Sequence, residues 1–232
     1  MLHEAPVALS DFALGAVSAF LALRLCRTET ELLRIRTWFG VELGAIALAA
    51  LFGGLSHGFF PGNEGLLGAL IWRLSLVLIG VAALGALMLA SFLLFRPTIV
   101  ERLRLAAILA FAVYSGVVLF EWQDFVIALA FYLPPAILLS IAFLARWRRA
   151  PASFAADGVI AMFLTFLAAA IQHFDLGIHP VFLNNNVLYH MVQAVATFFL
   201  YRAGIRWLGL QQVRISVETP SANLIVEHWK SN

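Results

Sequence analysis

The sequence predicts an all-α polytopic membrane bundle of about seven transmembrane helices, with its N-terminus outside and its C-terminus cytoplasmic. Three observations predict it. Charged side chains are too sparse to cover a water-facing surface, the apolar runs are continuous over the thickness of a bilayer, and arginine is confined to alternate connections.

Of the 232 residues, 62% are hydrophobic and 12% charged, and the mean hydropathy is +0.93. A soluble domain of this length carries about 25% charged residues, so lipid is the expected solvent for most of the chain. In lipid every backbone N–H and C=O needs an internal partner, which leaves helical bundles or closed barrels. A barrel would show segments of about ten residues with alternating polarity. The runs here are unbroken and roughly twenty residues long, as spanning helices require.

The first run, Pro6–Cys26, follows no basic stretch and so reads as a retained span, not a cleaved signal. Asp11 lies about one turn inside it, able to cap the helix or join a polar cluster. The second, Arg36–His57, ends in Gly53-Gly54-Leu55-Ser56-His57-Gly58, where two glycines allow a neighbouring helix to approach closely. Its Glu42 lies about 15 residues, or roughly 22 Å, from His57. A carboxyl at that depth needs a named partner, and Arg73 of the third run is one candidate, provided that helix tilts. That third run, Gly65–Phe95, is longer than a bilayer needs and is expected to tilt or project.

Leu103–Phe120 is the fourth run. Phe125–Trp147, the fifth, contains Pro134 and Pro135, which remove backbone donors and predict a kink. Ser153–His173 is the sixth, with Asp157 expected to be solvated at its inner start, and Val187–Leu208 is the seventh. Residues 1–208 therefore read as the transmembrane domain and 209–232 as a short cytoplasmic tail, with Thr219-Pro220 as a break.

Orientation follows from the arginines. The first connection holds Arg27, Arg34 and Arg36, the third Arg96, Arg102 and Arg104, and the fifth Arg146, Arg148 and Arg149. The tail begins with Arg202, Arg206 and Arg214. The connections Gly58–Glu64, Glu121–Asp124 and Phe174–Asn186 contain no lysine or arginine. The sole lysine is Lys230, and this preference for arginine, with heavy alanine and leucine use, suggests a GC-rich bacterial genome and an inner membrane.

Polar side chains gather towards the outer face, where His57, His173, His179 and His190 meet one level. Such a cluster suits a metal site or a proton-handling site. In the seventh run Asn186, His190, Gln193 and Thr197 recur at helical spacing and stay within about 60° of one another on the wheel. A polar stripe on a span looks into the bundle or a cavity, because facing lipid is costly. Interhelical hydrogen bonding would account for Gln193 and Thr197 equally well. Glu64 opens the third run, where a carboxylate also suits a helix N-terminus.

Absences narrow the chemistry. One cysteine, Cys26, excludes an intrachain disulfide and a cysteine metal cage. No phosphate-binding glycine loop, GxSxG elbow or HExxH occurs, and Lys230 in the tail cannot hold a retinal Schiff base within the bundle. Histidines at one face only could serve at most one haem, which disfavours a haem protein.

Gly53-x-x-x-His57, Glu64, and Asn186-Val187-Leu188-Tyr189-His190 followed by Ala194, Ala196 and Tyr201 resemble the superfamily of alkaline ceramidases and the progestin and adipoQ receptors. That superfamily has seven spans and a zinc site near one face. Its signature is Ser-x-x-x-His closing span two, an acid near the start of span three and His-x-x-x-His opening span seven. The present chain has Gly53 at the serine position and Asn186 at the first histidine of the pair, and Glu64 comes earlier than the family acid. The resemblance implies His57 and His190 as zinc ligands, with His179 or His173 replacing the missing one.

Two functional expectations follow. One is a zinc-dependent intramembrane hydrolase of a lipid amide or ester. Zinc on His57, His179 and His190 would activate water, Ser56 would stabilise the oxyanion, and Glu64 would act as general base and then acid. The other is a non-enzymatic sensor, small transporter or assembly partner with an outer polar pocket. The bilayer, and in the first case a lipid substrate, are the expected partners, with no nucleic acid.

Overall fold

The computed structural model describes residues 3–60, 62, 65–149 and 152–218, with side chains described up to 210. Every regular element among them is helical: α1 (Ala5–Cys26), α2 (Leu33–Phe59), α3 (Gly65–Leu94), α4 (Pro97–Phe120), α5 (Phe125–Arg149), α6 (Ser153–His173) and α7 (Asn185–Glu218). Each apolar run became one helix, but the helices overrun the runs. Helix α2 starts before Arg36, α4 starts at Pro97, and α7 continues past Leu208. Proline suits the first turn of α1 and α4, where its missing N–H would be unpaired in any case. Asn184 caps α7 by accepting the Val187 N–H at 3.0 Å.

Among the described residues six helices, α1 to α6, are long and apolar enough to cross a membrane. This supports a helical membrane bundle. α7 stands apart from that set because its apolar stretch is interrupted by His190, Gln193, Arg202 and Arg206.

The helices close into a ring. α1 packs on α2, α2 on α3, α3 on α5, α5 on α6, α6 on α7, and α7 returns to α1. α4 stands outside this ring against α3. There Tyr114 stacks on Phe131 of α5 at 4.2 Å and donates its hydroxyl to the Leu76 carbonyl at 2.7 Å. Leu105, Leu109 and Val113 of α4 remain exposed, as suits a lipid-facing helix.

The two ends of the ring differ. Towards the arginine end the interior is filled by Leu25, Phe39, Leu43, Leu89, Leu139, Phe143, Phe154 and Trp207. Trp207 meets Phe39 edge-on at 5.9 Å and stacks on Phe154 at 5.6 Å. Arg34 of α2 and Glu101 of α4 meet at 3.3 Å at this end, an exposed pair that adds little stability. Towards the histidine end the interior is open.

Asp157 corrects an expectation. It is buried, not solvated, and α6 uses it to hold α7 through Arg206 at 2.7 Å and Arg202 at 3.4 Å. Two arginines that would mark a tail by their charge alone are therefore partly internal, because a buried carboxylate requires cations.

Candidate functional site

A cavity of about 290 Å³ opens between the six ring helices at the histidine end, and α4 contributes nothing to its wall. Asp11 comes from α1, His57 from α2, Trp72 and Ser75 from α3, Tyr132 from α5, Gln172 from α6, and Asn186, Tyr189, His190 and Gln193 from α7. The polar stripe expected on the seventh run therefore does face inward. Thr197, one turn further, is buried and donates to the Gln193 carbonyl at 2.8 Å.

The centre of the site is a buried pair. His190 Nε2 lies 3.0 Å from Asp11 Oδ1, and the two side chains are 9% and 4% exposed. His190 Nδ1 lies 2.9 Å from Ser10 Oγ. That hydroxyl also donates to the Val7 carbonyl at 2.7 Å. A hydroxyl has one hydrogen. While it goes to Val7, the contact with Ser10 requires the imidazole to donate from Nδ1; turning the hydroxyl to Nδ1 makes that nitrogen the acceptor. Ser10, half-buried, does not line the cavity that holds Asp11 and His190.

Asp11 owes its place to the glycine pair. A Cβ on Gly53 would sit 3.1 Å from Asp11 Oδ1, and one on Gly54 would sit 2.8 Å from the Phe12 ring. The close approach expected from these glycines is made by α1, and the carboxylate fills the space beside Gly53. That is a physical reason for glycine where the resembling superfamily has serine.

Three further polar groups of the wall are tied to partners. Gln172 Nε2 donates to Asn186 Oδ1 at 2.6 Å, joining α6 to α7. Ser75 donates to the Ala49 carbonyl at 2.8 Å, joining α3 to α2. His57 Nδ1 meets Glu4 Oε2 at 2.7 Å, with the Trp72 ring edge-on at 6.1 Å. Two fully buried acceptors of the wall have no hydrogen-bond partner, Asp11 Oδ2 and Gln172 Oε1.

The expected catalytic set comes together only in part. His57 and His190 line one cavity. His179 is exposed in the connection before α7, where its Nδ1 accepts the Val181 and Phe182 N–H groups at 3.2 Å each. His173 is also exposed. Ser56 is buried in α2 and does not line the cavity. Glu64 lies outside the described residues. Among the described residues no three histidine, cysteine, aspartate or glutamate side chains gather as a metal ion needs. His179 lies outside the cavity that His57 and His190 share, and both ring nitrogens of His190 are already paired, so the three imidazoles do not meet as a tetrahedral ion requires. Sequence reasoning missed Glu4 and Ser10 as partners of the two histidines. Arg73 was a candidate partner for Glu42, whereas the hydrogen-bond partner of Glu42 is Tyr132, at 3.3 Å.

No curated protein and no solved structure matches the chain. The model of a family of unknown function, DUF6962, matches residues 7–208, and the chain belongs to that family.

Proposed function

We propose that this protein is a non-enzymatic membrane sensor or carrier that binds a small polar solute in the ring cavity. The reading includes seven crossings, with α7 as the last, and an inner-membrane location with the histidine end facing outward. The arginine distribution supports that orientation.

The observation that carries the reading is the Asp11–His190 pair, buried in a cavity walled by six helices. Ionisable groups at membrane depth are expensive, and they mark ligand and ion pathways when they line a cavity. The lining is mostly apolar with a few convergent polar groups, the usual make-up of a small-molecule site. Its fully buried groups without a hydrogen-bond partner are two acceptors, Asp11 Oδ2 and Gln172 Oε1. The fitting solute therefore brings N–H or O–H donors, as an amine, amide or polyol does, and carries enough apolar surface to lie against Trp72 and Tyr189.

Tryptophan fluorescence of the purified protein tests this against a panel of small amines, amides and polyols, with Trp72→Phe as the signal control. A binding member should lose affinity by about tenfold or more in Asp11→Asn, a change of about 1.4 kcal/mol. Unchanged affinity in that variant would remove the pair from the site. Elemental analysis of the same samples addresses the zinc hydrolase: stoichiometric zinc that disappears in His190→Ala would replace the present reading with that one.

A further inference from the structure

On α2, one turn from the cavity-lining Ile46 and beside the packed residues Phe39 and Leu43, lies a carboxyl that solute binding leaves unused. Glu42 is 0% exposed. Tyr132 donates its hydroxyl to Oε1 at 3.3 Å, and Oε2 has no hydrogen-bond partner. The charged and titratable groups on the surrounding helices include Asp11 and Arg24 of α1, Arg73 of α3, and His190 and Arg202 of α7. Among the described residues Tyr132 alone bonds to the carboxyl. Asp11 is taken by His190, and Arg202 by Asp157.

The carboxyl cannot withdraw towards α3. A Cβ on Gly85 would lie 2.6 Å from Glu42 Cβ and 3.0 Å from its Cα, so the two backbones already touch. A carboxylate so enclosed needs a cation or a proton to balance it. A metal cation would need some six oxygen ligands, and the carboxyl with one tyrosine hydroxyl falls well short. A proton needs only the carboxyl.

Tyr132 is the link. It touches Glu42 and also lines the cavity. Pro134 and Pro135 follow in the same helix, and their missing N–H groups leave the carbonyls of Ala130 and Phe131 without helical donors, so α5 yields more easily around Tyr132.

We propose that Glu42 is a proton-binding site that exchanges with the cavity through Tyr132. In the loading step the Tyr132 O–H bond breaks as an O–H bond forms on the Glu42 carboxylate. A hydrated proton, or a protonated group of the solute, restores the hydrogen on the tyrosine oxygen. One proton moves from cavity to Glu42, no electron moves, and the reverse sequence empties the site. The inference rests on the cavity reading only in taking the cavity as the source of the proton.

Infrared difference spectroscopy of the full chain in lipid, cycled between acid and alkaline buffer, tests it. The wild type should show a carboxylic-acid C=O band that shifts in heavy water and is absent from Glu42→Gln. Tyr132→Phe should keep the band but exchange its deuterium roughly a hundredfold more slowly, as loss of a proton-relay group implies. Gel filtration and circular dichroism check folding, and if Glu42→Gln fails there, Glu42→Asp should move the band instead. A band unmoved by either Glu42 substitution, or Tyr132→Phe exchanging at the wild-type rate, overturns the proposal. Solute binding read by tryptophan fluorescence on wild-type samples keeps the two ideas apart. Binding without the band sinks the relay alone, and the band without binding sinks the solute reading alone.

Discussion

His190 uses both ring nitrogens, one on Ser10 of the first helix and one on Asp11. Removing the imidazole leaves a buried carboxyl with no partner, whereas removing both members leaves none to be satisfied. His190→Ala should therefore lose about 3 kcal/mol of stability, while Asp11→Leu with His190→Leu loses less than half of that. Chemical unfolding in detergent measures both, and a double substitution at least as costly as His190→Ala would refute the unpaired-carboxyl argument. Part of this was legible in the sequence. The inward face of Asn186, His190 and Gln193 follows from helical spacing alone, because lipid permits no other direction for them. The partners were not legible, since Ser10 and His190 are 180 positions apart and only ring closure brings them together. Arg73 was a reasonable guess for Glu42, but charge pairing in sequence ignores which helix faces which, and α5 supplies the nearer donor.

At the scale of elements, close helix contact depends on small residues. Gly85 and Gly44 make a controlled comparison. A Cβ at Gly85 meets the base of Glu42 at 2.6 Å, whereas one at Gly44 meets nothing within 4 Å. Gly85→Ala should destabilise by about 2 kcal/mol through overpacking, and Gly44→Ala should gain up to about 1 kcal/mol from helix propensity. Thermal unfolding of the two variants side by side checks the sign of each, and a stabilised Gly85→Ala would mean that α2 and α3 are less tightly apposed. Helix existence was readable from the apolar runs, but helix ends were not. Arginines such as Arg102 and Arg104 look like loop residues, yet they sit in the first turns of α4, which continues beyond the apolar zone. The burial of Asp157 escaped for a related reason: Arg202 and Arg206 looked like solvated tail charges, when they serve a carboxylate inside the bundle.

For the whole molecule, one end of the ring is packed with aromatic side chains and the other holds the cavity. The topology proposed above has a direct test, because Cys26 is the one native thiol to replace. Single cysteines in a Cys26→Ser background at Gln123 and Asp175 should react with an impermeant maleimide in intact cells, and cysteines at Thr30 and Arg149 only after lysis. The opposite pattern would invert the protein. Sequence anticipated the polarity of the two ends through the arginines, but not that α4 lies outside the wall, because order along the chain says nothing about which neighbours a helix keeps.

The contact between α1 and α7 has a consequence for biosynthesis. Helices leave the ribosome in order, so α1 enters the bilayer long before α7 exists. Throughout that interval Asp11 lacks its imidazole and the Gly53–Gly54 notch guards a carboxyl that nothing neutralises. Arrival of the last helix ends this exposure in a single docking event. A chain cut short after α6 keeps that acid without its imidazole, so the bundle is completed only when the last helix arrives.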